Sequence, residues 1–192
     1  MNMEQLNKRT IILASGSPRR QAFIKELGLN YRIETKEINE TYPSYLKKAK
    51  ITKYLALKKA RAFSNLKSGE ILVTADTIVW FKKKALEKPK SKKEAKQMLK
   101  KLSNSKHLVI TSMCLKNATK EKVFSCKTIV YFNKLTDNMI DFYIKNHNTL
   151  DKAGGYGIQE WLGYVAVKKI KGSYFNVMGF PVHKFYKELK RF

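Results

Sequence analysis

The run Ile11-Ile12-Leu13-Ala14-Ser15-Gly16-Ser17-Pro18-Arg19-Arg20, continued by Gln21-Ala22-Phe23-Ile24-Lys25-Glu26-Leu27-Gly28, constrains this chain more than any other stretch. A short apolar segment breaks into small residues and then meets a proline. That pattern predicts a buried strand, a tight loop, and a helix with Ser17 as N-cap and Pro18 at its first position. Gly28 closes the helix. A strand-to-helix turn of small residues collects backbone N–H groups, and the helix dipole adds positive potential there. Arg19 and Arg20 contribute forked, charge-assisted donors. The stretch is built like a phosphate cradle, although spacing alone leaves open an ordinary strand-helix unit with exposed arginines. It is not a P-loop, because no Gly-Lys-Ser/Thr follows, nor the three-glycine dinucleotide pattern.

A chain of 192 residues that is 43% hydrophobic can bury a core as one domain or one domain with two lobes. No apolar run approaches the roughly 18 residues of a membrane span. Residues 1–10 are polar, with no apolar signal region. Cys114 and Cys126 lack metal-ligand spacing and read as two buried thiols of a reducing cytosol. Forty Lys and Arg against 15 Asp and Glu give a net charge of +25. Most of it is dispersed and reads as surface character, without the aromatic interleaving of a base-stacking platform.

In so basic a chain the acids stand out. Glu34, Glu37 and Glu40 cluster after a short strand at 31–34, and loop carboxylates can hold Mg²⁺. Pro43-Ser44 opens a helix running to Phe63, and Asn65 to Gly69 turns the chain. Residues 70–81 are strand-like around one acid, Asp76, in a small Ala75-Asp76-Thr77 turn. A carboxylate there is costly to bury unless paired or metal-bound, which makes Asp76 the leading catalytic or metal carboxylate. Ser91-Lys92-Lys93-Glu94 is a capping box before a helix burying Ala95, Met98, Leu99 and Leu102. Lys88, before Pro89, lies off that helix. Residues 107–115 and 122–132 predict an antiparallel hairpin, and Thr136 caps a helix to Lys145. His147 and His183 read as surface residues. Gly154, Gly155 and Gly157 permit a loop that brings amides to a ligand, and Gln159 carries the donor and acceptor that suit a base edge. A strand at 164–170 and a C-terminal helix opened by Pro181 complete the chain. Strands and helices alternate until a hairpin interrupts them, so the fold class is α/β with a mixed sheet.

Leu-Ala-Ser-Gly-Ser-Pro-Arg-Arg (13–20), Ala-Asp-Thr (75–77), Lys-Pro (88–89), Asp-Lys-Ala-Gly-Gly-Tyr-Gly-Ile-Gln (151–159) and Gly-Ser-Tyr-Phe-Asn-Val-Met-Gly-Phe-Pro (172–181) occur in this order. Together they resemble the Maf family of nucleoside triphosphate pyrophosphatases, over nearly the whole chain. The resemblance implies the Maf/inosine-triphosphatase-like α/β fold: an elongated mixed sheet flanked by helices, with two lobes and a central cleft, as a single domain over 1–192. It implies hydrolysis of a nucleoside triphosphate to the monophosphate and pyrophosphate with a divalent metal, Mg²⁺ or Mn²⁺. Ser15, Arg19 and Arg20 fall on the family's phosphate loop, and Lys59 and Lys88 on its other substrate-binding lysines. Asp76 falls on the catalytic base. Glu40 falls on the metal-associated acid, and the expectation drawn from the chemistry is that Glu40 and Asp76 share one Mg²⁺.

Arg19, Thr77 and Gln159 match the members that act on dTTP and UTP, and modified pyrimidine nucleotides belong to the same expectation. Gln159 would also bind substrate. The sequence departs from the family pattern at Glu87, and at Glu160-Trp161, where glycine commonly follows the glutamine. The implied setting is cytoplasmic house-cleaning, associated in the family with cell division arrest. The implied partner is the triphosphate, without membrane or nucleic acid, and a homodimer is left open. The rival reading is a basic nucleic-acid- or septation-associated binding protein without catalysis.

Overall fold

A computed structural model describes residue 6 and residues 8–192. Most of the polar N-terminal segment, residues 1–5 and 7, lies outside them. The elements are β1 (Thr10–Leu13), α1 (Pro18–Glu26), β2 (Tyr31–Ile33), α2 (Ala49–Arg61), β3 (Glu70–Phe81), β4 (Lys84–Leu86), α3 (Lys92–Leu102), β5 (Lys106–Lys116), β6 (Glu121–Phe132), α4 (Asp137–Asn146), α5 (Trp161–Ala166), β7 (Val167–Lys171), α6 (Tyr174–Val177) and α7 (Val182–Lys190). Among the described residues the strands form a seven-stranded mixed sheet in the order β2-β1-β3-β5-β6-β7, with β4 on β3. The expected α/β class with a mixed sheet is therefore observed. The chain divides into two compact units, the first comprising residues 1–76, 111–126 and 179–192, the second 77–110 and 127–178.

In the first unit β1 lies between β2 and β3, parallel to both, with Leu13 opposite Ile33 and Val73. Strand periodicity sends alternate side chains to opposite faces. Ile11, Leu13, Ile71, Val73 and Ala75 pack with Ile24 of α1 and with Phe185 and Leu189 of α7. Ile12 and Leu72 pack with Ala56 and Ala60 of α2. Both faces of the sheet are thus covered, which is why these strands read as nearly unbroken apolar runs. The expected α1 is present, with Pro18 at its start and Gly28 at φ +64 beyond its end. Ser17 occupies the N-cap position, but its side chain makes no cap bond. Helix α2 starts at Ala49, not at Pro43-Ser44. The Leu46 N–H turns back to the Pro43 carbonyl, and Lys48 sits at φ 54, a conformation a right-handed helix cannot contain.

In the second unit Lys82 and Lys83, both at positive φ, form a two-residue turn that places Phe81 opposite Lys84. The capping box holds: the Ser91 hydroxyl accepts from the Glu94 N–H, and Ala95, Met98, Leu99 and Leu102 are buried. Thr136 caps α4 by accepting from the Met139 N–H. Lys96–Asp141 and Lys100–Asp137 ion pairs link α3 to α4. The strand expected at 164–170 begins only at Val167. Residues Tyr164 to Ala166 are helical, because the Glu160 carbonyl accepts from the N–H groups of Gly163 and Tyr164 and starts α5. A Cβ on Gly163 would stand 1.8 Å from the Ile158 carbonyl oxygen, so the helix packs backbone to backbone there.

Cys114 is buried and Cys126 half-buried, with no disulfide between them. His147 is not a plain surface residue: it stacks on Tyr143 at 4.7 Å.

His107 is buried and bonds the Tyr156 hydroxyl at 2.7 Å. Burial pushes it down from 6.5 to about 3. Between those values the unfolded chain holds a proton that the folded chain rejects. The stability from a neutral His107 is therefore complete above pH 6.5 and is lost as pH falls toward 3. Urea denaturation across this window should show the wild type losing stability with a slope up to about 1.4 kcal/mol per pH unit steeper than His107→Gln. Parallel curves would refute it.

Candidate active site

The phosphate-cradle stretch folds as a loop from β1 into α1, centred on Ser15. The Ser15 hydroxyl accepts from the Ser17 N–H at 3.3 Å and from Arg20 Nη1 at 3.4 Å, and its carbonyl accepts from Gln21 Nε2 at 3.2 Å. Gly16 is exposed, with open space where a side chain would stand. Arg20 also has a structural role. Its Nε donates to the Gly179 carbonyl at 3.0 Å and its Nη1 to the Ala75 carbonyl at 2.8 Å. The guanidinium thus ties the loop to the residue before Asp76 and to the chain entering α7. Burial lowers its pKa, Asp76 opposes that effect, and neighbouring Arg19 adds to it. Arg19 is half-buried at the same helix start.

Asp76 lies on the α2 face of β3, two residues on from Thr74, whose hydroxyl donates to the Ala56 carbonyl at 2.6 Å. One helical turn further along α2, Lys59 Nζ meets Asp76 Oδ1 at 2.9 Å and Glu40 Oε1 at 3.0 Å. The Asp76 side chain is 8% exposed and that of Glu40 51%. Asp76 Oδ2 is buried with no hydrogen-bond partner among the described residues. Asp76 stands inside a continuous strand rather than a turn. The cost of burying it is met by Lys59, with Arg20 adding positive potential. Of the acidic cluster only Glu40 joins it, while Glu34 pairs with Arg32 at 3.5 Å.

Among the described residues no three His, Cys, Asp or Glu side chains gather as a metal cage. Two carboxylates on one lysine, one with an unmatched buried oxygen, are donors of the kind that would suit a hard cation.

The remaining residues singled out in the sequence belong to the second unit. Thr77 follows Asp76 on β3, so its side chain points to the opposite face. Lys88 is exposed and lines a cavity of about 330 Å³ with Lys90, Glu94, Gln97 and Lys101. Gln159 sits in a turn closed by the Glu160 N–H on the Gly157 carbonyl, and its Oε1 is buried with no hydrogen-bond partner among the described residues. The glycines before it do not open the loop to a ligand. Cβ atoms on Gly154 and Gly155 would lie 2.8 Å from Val79 and 3.5 Å from Ala95, so both close the loop onto β3 and α3. Sequence reasoning noted Glu160 only as a departure from the family pattern and gave no role to Tyr143 or Lys152, because these side chains converge only in three dimensions.

An arginine-bearing helix start beside a lysine-bridged pair of carboxylates, set on a mixed α/β sheet, defines a protein that handles a polyanion. Comparison with known proteins narrows the class. The profile of the family described as Maf-like protein matches residues 10–192, and the chain belongs to that family. A dTTP/UTP pyrophosphatase of Flavobacterium johnsoniae is 53% identical, covering 98% of each chain. That of Christiangramia forsetii is 48% identical over 99% of this chain and 97% of its own. A HAM1 protein from Coxiella burnetii shares the fold at 14% identity, with a TM-score of 0.51 over 96% of this chain and all of that one.

Proposed function

We propose that this protein, acting as one catalytic domain over residues 1–192, hydrolyses dTTP and UTP to the monophosphate and pyrophosphate. The observation that carries this reading is the unmatched Oδ2 of Asp76, held beside Lys59 and Glu40. Relatives matching nearly the full chain are named for that activity. The loop from Ser15 to Arg20, together with Lys88, is assigned to the triphosphate. Arg19 and Arg20 are both assigned to the phosphates, and Arg20 also holds the loop through its Nε and Nη1.

Asp76 takes the proton from a water as its oxygen bonds the α-phosphorus. The bond from that phosphorus to the bridging oxygen breaks, and pyrophosphate leaves. Lys59 holds the Asp76 carboxylate in place through Oδ1. Asp76 and Glu40 would hold Mg²⁺ or Mn²⁺, which when bound neutralises charge on the phosphates.

Gln159 is assigned to the base. Uracil and thymine present an N3–H donor, which the buried Oε1 of Gln159 can accept. Modified pyrimidines that keep this edge belong to the same substrate class, which suits a house-cleaning role. The test is pyrophosphate release from UTP, dTTP, CTP, ATP and GTP with Mg²⁺. UTP and dTTP should lead. Gln159→Ala should lose about 10- to 100-fold in kcat/KM on UTP, as expected when a buried polar contact to the base is removed, and with it most of the preference over CTP. Release from none of these nucleotides, or a leading purine, would overturn the reading.

A further inference from the structure

An amide side chain is an ambiguous reader of pyrimidines. Its oxygen can accept from N3–H of uracil while its nitrogen donates to O4. Turned over by a half-rotation about its last side-chain torsion, the same amide can accept from the amino group of cytosine and donate to its N3. Discrimination therefore depends on Gln159 meeting the base in one orientation, which requires that the backbone carrying it be fixed.

That backbone is held on several sides. The turn is closed by the Glu160 N–H on the Gly157 carbonyl at 3.2 Å. The Tyr164 hydroxyl donates to the Gln159 carbonyl at 2.7 Å, and Ile158 is buried. The Glu160 carboxylate folds back beneath its own turn, so that a Cβ on Gly157 would stand 2.7 Å from its carboxyl carbon. Its Oε1 meets Lys152 Nζ at 2.9 Å. Its Oε2 accepts the Tyr143 hydroxyl proton, and the Tyr143 oxygen in turn accepts from the Gly157 N–H at 2.9 Å. His147 Nδ1 lies 3.9 Å from the same Oε2. Lys152 is itself buried, bonded to the Asn148 carbonyl and paired with Asp151 at 2.8 Å. Burial and the bond to Glu160 push the Tyr143 phenol up, so it remains a donor. Both carboxylate oxygens of Glu160 are thus matched by groups from α4 and from the chain leading into the turn. Gln159 is left with the unmatched acceptor.

We infer that Glu160 is a positioning residue for base selection: its carboxylate, clamped by Lys152 and Tyr143, fixes the turn from which Gln159 meets the pyrimidine edge in one orientation. The inference rests on the assignment of Gln159 to the base. A charged residue is suited to this role, because a carboxylate bonded on both oxygens has one low-energy placement and transmits it to the turn it closes.

The test measures kcat/KM for UTP and CTP in the wild type, Glu160→Gln, Tyr143→Phe, Gln159→Ala and the double variant Gln159→Ala/Glu160→Gln. Glu160→Gln keeps size but sets an amide against a lysine and a tyrosine that both donate. Its UTP:CTP ratio should fall about 10-fold, and Tyr143→Phe should fall in the same direction. In the Gln159→Ala background the Glu160→Gln change should move the ratio less than 2-fold, because the residue it positions is gone. Loss of structure alone would lower turnover of both nucleotides without this dependence. A wild-type ratio retained by folded Glu160→Gln and Tyr143→Phe proteins would overturn the inference. So would an equal drop in both backgrounds. A wild type that turns over UTP and CTP equally would overturn the Gln159 assignment itself, and this inference with it.

Discussion

Asp76→Asn should lose at least about 10³-fold in kcat for pyrophosphate release from UTP, while remaining folded. The asparagine oxygen can still accept from Lys59 at the place where Oδ1 now stands, 2.9 Å away. The amide has no basicity to take a proton from water, and removing a general base or a charge aimed at the reacting centre typically costs a factor of this order or more. The amide also puts an N–H where the unmatched Oδ2 lies, so a destabilisation of about 1–3 kcal/mol accompanies the loss. The two effects separate experimentally, because a calorimetric scan reads the second alone. A folded variant with wild-type kcat would show that the buried carboxylate has no part in the chemistry.

Lys59→Met should damage both activity and stability. The lysine is the direct ion-pair partner of Asp76 and Glu40, and its side chain is 15% exposed. Methionine fills much the same space without charge. Asp76 is then left buried beside only the more distant influence of Arg20, and breaking such a pair from one side costs about 2–4 kcal/mol, somewhat below the fully buried case. Turnover should fall about 10²-fold or more with the base no longer held in line. Combining Lys59→Met with Asp76→Asn should cost less stability than the sum of the two, because the second change removes the charge that the first leaves unpaired. Additive costs in urea denaturation would mean that the pair is not coupled.

Much of this site was legible because local chemistry announces it. A lone acid among β-branched residues must be paired or functional, and Asp76 is paired. The capping box at Ser91 and the apolar stripe of α3 follow from hydrogen-bonding and periodicity rules that act within one turn of helix, and both hold. The same logic overreached at Pro43 and at Tyr164. A favourable start signal was outweighed at the first by Lys48 in a left-handed conformation, and apolar alternation was outweighed at the second by a helix begun on the Glu160 carbonyl. The glycines of 154–155 were recognised as unusual, but their reason, close packing on Val79 and Ala95, lies on elements distant in sequence.

By itself the sequence determined the class of the fold and the family resemblance, and it singled out the loop at 13–20 and the lone carboxylate of Asp76 as candidates, because each depends on residues near one another along the chain. Only the tertiary structure decided what those residues touch. Parallel pairing of β1 with β3 sets Asp76 in a row facing α2, where Lys59 meets it from 17 residues away, and Arg20 reaches carbonyls 55 and 159 residues away. The clamp of Lys152, Tyr143 and Glu160 under Gln159 likewise exists only once α4 packs beside the turn. Charge and hydrogen bonding act over a few ångströms of space, and the fold decides which distant residues come that close.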